Sequence, residues 1–101
     1  MSQILIDTLT EKLKTALDAQ HVAVVDNTWQ HAGHSGAAGG SHVDITIVSP
    51  KFQDTLLLDR HRIVHQALKA EMSTFIHALQ LQVFTPEEWA HKNEVQPSSR
   101  Y

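Results

Sequence analysis

Apolar residues recur at three- and four-residue steps between Ile4 and Ala19. Ile6, Leu9, Leu13, Ala16 and Leu17 form one stripe, with Glu11, Lys12, Lys14 and Asp18 set between them. That spacing matches 3.6 residues per turn and predicts an amphipathic helix. "HVAVVDNT" follows at 21–28, dense in β-branched residues, and in "HVDITIVS" at 42–49 Val43, Ile45 and Ile47 alternate with His42, Asp44 and Thr46. A period of two is the mark of a strand with one buried face, so this region predicts two strands joined by a long loop. Pro50 ends the second strand, and "PKFQD" reads as a turn. A second helix is predicted through "LDRHRIVHQALKAEM", capped by Asp59, with Val64, Ala67, Leu68 and Met72 as its apolar stripe. In "FIHALQLQVF" the alternation puts Phe75, His77, Leu79, Leu81 and Val83 on one face of a third strand and Gln80 and Gln82 on the other. "TPEEW" opens a last short helix, with Thr85 as N-cap, Pro86 at the first helical position and Glu88 completing a capping box.

The order is αββαβ with a final α, without internal repeat or linker. It predicts an α+β domain in which helices cover one face of a three-stranded sheet. A chain of 101 residues supports one core rather than two. The domain is expected over residues 1–91, followed by a flexible tail over 92–101, where "KNEVQPSSRY" has no periodicity.

Charge and composition narrow the function. Eight Lys and Arg stand against eleven Asp and Glu, a net charge of −3 with histidine neutral, so the surface as a whole does not attract polyanions. No apolar run reaches the length of a membrane span, and "MSQILIDTLTEK" lacks the cationic start and apolar stretch of a secretory signal, so a cytoplasmic protein that does not engage a membrane is expected. There is no cysteine, which rules out disulfides, a thiol nucleophile and a thiolate metal site made by this chain alone. Motifs of metalloprotease, Walker, serine hydrolase and zinc deaminase type are all absent, and no enzyme is expected.

Eight histidines carry the candidate chemistry. In "HAGHSGAAGGSH", residues 31–42, His31 and His34 form H-x-x-H among all four glycines of the chain, and His42 begins the next strand. Glycines do not pre-position ligands, so spacing alone leaves two readings: a slack hairpin connection, or a ligand loop that a partner completes. "GAAG" in the same loop matches the GxxG of KH domains, but there the motif joins two helices and here it lies between strands. In "DRHRIVHQ" cations crowd the first turn of a helix, against the macrodipole. Arg60, Arg62, His65 and Lys69 are therefore candidates for partner or nucleic-acid contact, while His61 is expected to turn toward Val64 and Leu68. His77 stands on a strand face where an aliphatic residue would be ordinary, and spacing leaves a core-edge histidine and a ligand both open.

Taken together, "VVDNTWQHAGH", "SHVDITIVSPKF", "DRHRIVHQAL" and "IHALQLQVFTPEEW" resemble the BolA family. Its members carry a D-x-S/T-x-x-H stretch, an H-F-x-V-x-I-V-S strand, an R-H-R helix start, H-A-L and a final T-P-x-E-W. The resemblance covers roughly residues 4–91, with Val43 in place of the usual Phe. It implies a fold similar to class II KH domains and pairing with a monothiol glutaredoxin. It further implies a [2Fe–2S] cluster bridged between the two proteins, held by the glutaredoxin cysteine, glutathione and two positions of the BolA-like chain. Carried onto this sequence, those positions are His77 of H-A-L and a loop histidine, His31 or alternatively His34. The implied role is that of an adaptor in iron–sulfur trafficking and iron sensing, with no cluster held by the isolated chain, itself expected to be a monomer or weak homodimer. A nucleic-acid-binding regulator using Lys51, Arg60, Arg62 and Lys69, with weak DNA binding, is the alternative, and a metal-free interaction module is a third.

Overall fold

The computed structural model describes residues 2–27 and 41–95. Helix α1 (Gln3–Leu17) begins where the Ser2 hydroxyl accepts from the Leu5 amide and ends at Asp18, whose backbone is left-handed with φ 50°. Leu9, Leu13 and Leu17 form its buried stripe, while Ala16, expected on the same stripe, is exposed. The i, i+4, i+8 row of leucines suffices to dock the helix, each fully buried side chain contributing about 2 kcal/mol.

Strands β1 (His21–Asp26) and β2 (Ser41–Val48) pair antiparallel, and β2 pairs parallel with β3 (Ile76–Phe84), giving the order β1-β2-β3. Val43, Ile45 and Ile47 are all nearly inaccessible, as their alternation predicts. They meet Leu9, Leu13 and Leu17 of α1, Phe52, and Val64 and Leu68 in a single core. The helices that build this core lie on one face of the sheet, and His42, Asp44 and Thr46 point to the other.

Between β2 and the next helix, Pro50–Phe52 form a 3₁₀ turn, capped by Ser49. Ser49 is wholly buried, its hydroxyl donating to the Leu17 carbonyl at 2.5 Å and accepting from the Lys51 amide at 3.0 Å. Helix α2 (Leu57–Ala67) starts one turn earlier than Asp59 would set it: Leu56 occupies the cap position without a side-chain bond, and Asp59 sits in the first turn. The backbone departs from helical geometry at Leu68, so the one helix expected through Met72 is divided into α2 and the short α3 (Lys69–Met72). Leu68 keeps its N–H bond to the Val64 carbonyl at 3.0 Å and buries its side chain completely, which makes this a distortion of one helical path.

Helix α4 (Pro86–Val95) opens with the expected capping box: the Thr85 hydroxyl accepts from the Glu88 amide at 3.1 Å, and Glu88 accepts from the Thr85 amide at 2.9 Å. The helix continues past Lys92 to Val95, so 92–95 are not tail as expected. Its contacts explain the extension. Trp89 stacks on His21 with centroids 5.2 Å apart and tilts against Phe84 at 5.4 Å, and Lys92 lies over the Trp89 ring. His21, Val48 and Phe84 are cross-strand neighbours, so Trp89 caps the end of the sheet face that α1 and α2 leave open.

Candidate functional site

The third strand departs from simple alternation at one place, and that place holds a candidate ligand. Ser41 pairs with Ile76, yet His42 pairs with Ala78, so β3 carries one extra residue, His77, relative to β2. The shift lets Ile76 reach the core while Leu79, Leu81 and Val83 also face it, which strict alternation from 76 to 83 would forbid. His77 is thereby displaced from the face it was expected to share with Leu79 and Leu81, and it is exposed. Its ring lies 5.8 Å from that of His42, tilted by 53°. Sequence reading gave His42 no role beyond opening a strand. No signal in the alternation reveals the pair, because an extra residue becomes visible only when two strands are laid side by side.

The described residues on either side of 28–40 meet at this spot. The Asn27 amide donates to the His42 carbonyl at 2.7 Å, and the Ser41 amide to the Phe75 carbonyl at 3.2 Å. The Asn27 side-chain amide bonds Asp44. A depression on the open sheet face is lined here by Asn27, His42, Asp44, Ala78 and Gln80. His31 and His34 lie in 28–40, outside the described residues. Among the described residues no three His, Asp or Glu side chains gather in a metal-binding group.

The basic helix start is divided in its commitments. Arg60, expected as a contact for partners, is engaged within the chain, its side chain only 11% exposed. Its guanidinium donates to the Thr55 carbonyl at 2.8 Å and the Val83 carbonyl at 3.3 Å, and grips the Glu88 carboxylate with both terminal nitrogens, at 2.6 and 3.2 Å. The same group lies over the Phe52 ring. Those hydrogen bonds from Arg60, joined by the Thr85 amide, hold the Glu88 carboxyl below its usual range. Arg62 pairs with Asp59 at 3.2 Å but remains 70% exposed, and His65 and Lys69 are exposed on the same helical region. His61 is half-buried and lines a shallow depression with Leu57 and Leu58. The crowding of cations thus contains one internal clamp, Arg60, and a smaller exposed set.

This arrangement of elements, with H-A-L at the register shift and T-P-E-E-W at the capping box, is that of a known family. The BolA-like protein family model matches residues 13–88. The chain belongs to the BolA family. The DNA-binding transcriptional regulator BolA of Haemophilus influenzae is 39% identical over 79 residues, covering 78% of this chain and 76% of that protein. Mouse BolA-like protein 2 is 37% identical over 86 residues, covering 85% and 91%. The solved BolA domain of SufE1 from Arabidopsis thaliana superposes with a TM-score of 0.74 at 34% identity, over 87% of this chain and 98% of that one. Mouse BolA1 does so at 0.76 and 27% identity, over 98% and 79%. These BolA relatives are named as a regulator and as BolA-like proteins, not as enzymes.

Proposed function

We propose that this BolA-family chain is an adaptor that pairs with a monothiol glutaredoxin and shares a bridging [2Fe–2S] cluster as cargo, in iron–sulfur trafficking and iron sensing. The observation that carries this reading is the position of His77. It is presented to solvent from a sheet, at the register shift, where Asn27 and Ser41, the described residues flanking the segment that contains His31 and His34, are also bonded. Imidazole is a competent iron ligand, as Rieske centres show, and a chain without cysteine needs a partner's thiolate to hold such a cluster. The donor chemistry fits: His77 supplies one imidazole, and the second comes from His31 or His34. Glutathione and the glutaredoxin cysteine complete the set.

The test mixes the purified chain with cluster-loaded monothiol glutaredoxin and follows the visible spectrum. His77→Ala is expected to stay folded by circular dichroism and to return the spectrum toward that of the glutaredoxin alone; the double change at His31 and His34 does the same. Folded variants that still give the wild-type mixed spectrum would remove both histidine sets from the cluster and favour an interaction module without metal.

A second reading, nucleic-acid binding, is favoured by the name of the Haemophilus influenzae relative. On this chain it would rest on Lys51, Arg62, His65 and Lys69, since Arg60 is engaged by Glu88.

A further inference from the structure

Helix α2 presents large aliphatic side chains to solvent at its start. Leu56, Leu57 and Leu58 are 76, 61 and 62% exposed, and Ile63, further along, is 37% exposed. The helix is anchored from its other side, where Val64 and Leu68 are wholly buried. Leu56 makes no capping bond either, although Ser, Thr, Asp or Asn at that position stabilises a helix by about 1 kcal/mol. These leucines give the fold nothing that polar residues would not, and a cluster of exposed aliphatics marks a surface that something covers.

At 100° per residue, Leu58, Arg62, Asp59, Ile63 and Leu56 follow one another around the helix. The ion pair of Arg62 with Asp59, at 3.2 Å, therefore lies between apolar flanks, and both of its members are exposed. A partner of single sign would meet one repulsive member of that pair. A second copy of the same face would not. When two α2 helices meet antiparallel about a two-fold axis between residues 60 and 61, Asp59 comes level with Arg62 of the second copy, and Leu58 with its Ile63. Each charge then exchanges its contact within the chain for the equivalent one across the axis.

We propose that this face of α2 is a self-association surface, through which two copies of the chain pair as an isologous dimer. The apolar area on offer is roughly a few hundred Å² per copy, against ~800 Å² a side in a stable interface, so a dissociation constant on the order of 0.1–1 mM is expected. The surface involves neither His77 nor a glutaredoxin, and it does not rest on the cluster reading.

The experiment follows the full chain alone by sedimentation equilibrium from about 10 μM to about 1 mM, with backbone amide shifts recorded by NMR over the same range. The mass is expected to rise from monomer toward dimer, and the concentration-dependent shifts to fall within 56–66. Leu58→Asp weakens association by about tenfold or more. Asp59→Arg and Arg62→Asp each set like charges across the axis and leave a monomer, and mixing these two variants, each folded by circular dichroism, restores a dimer because opposite charges face each other again. A wild type that stays monomeric throughout overturns the proposal, and so does a dimer that survives Leu58→Asp, one whose shifts lie outside α2, or a mixture of the charge variants that remains monomeric. Phosphatidylglycerol vesicles that move these amides in a chain that never dimerises would assign the face to a lipid surface instead. The wild-type series needs no variant, so a substitution that folds poorly does not leave the question open.

Discussion

Arg60 is the residue on which the most structure converges. It ties the turn at Thr55, the end of β3 at Val83 and the first turn of α4 at Glu88 into one knot over the Phe52 ring. Arg60→Ala leaves two carbonyls without this donor and frees Glu88, at an expected cost of about 1–3 kcal/mol, measured by urea unfolding. The partnership also sets an acid limb. Because Glu88 binds its proton less tightly folded than unfolded, the unfolded chain takes up more protons in acid. The contribution is therefore fully present above the ordinary value of 4.5 and is lost as pH falls through the lower folded value. Glu88 is 47% exposed, so solvent keeps the effect modest. Between neutral pH and pH ~3 the wild type is expected to lose more stability than Glu88→Gln, the difference read from urea midpoints.

At the scale of elements, α4 is the one whose extent the chain's periodicity conceals. It has no core stripe, and its place is decided by a capping box at one end and by Trp89 lying on His21 and Phe84. A helix of ten residues is marginal by itself in water, so these contacts account for its persistence to Val95. Trp89→Ala is expected to cost about 1–3 kcal/mol from two aromatic contacts and to speed amide exchange throughout 86–95, with little change in α1. Uniform exchange across the molecule in that variant would show instead that α4 unfolds only with the core.

For the whole molecule, charge decides how the second functional reading fares. The net charge is −3, and among the described residues Lys12 pairs with Glu71, Arg60 with Glu88 and Arg62 with Asp59. Phosphate neutralisation supplies most non-specific affinity, so binding to duplex DNA is expected to be weak, to fall steeply with added salt, and to vanish when Arg62 and Lys69 are reversed to Glu. Nanomolar, sequence-selective binding at physiological salt that survives Arg62→Glu would place the regulator reading first.

By itself the sequence determined the α+β class, the order of elements, the core stripes of α1 and β2 and the Thr85 capping box. Each of these is written in local spacing: a period of 3.6 or 2, or a cap three residues from its partner. The same local logic misplaced His77, read Asp59 as a cap, counted Arg60 among the partner contacts and stopped α4 too early. Those outcomes depend on residues distant in the chain. Only pairing β2 with β3 reveals the extra residue that turns His77 outward beside His42. Only docking α4 on the sheet brings Glu88 to Arg60 and Trp89 to His21. Periodicity reports which face of an element is buried; which side chains from different elements meet is decided by the closure of the sheet and the packing over it.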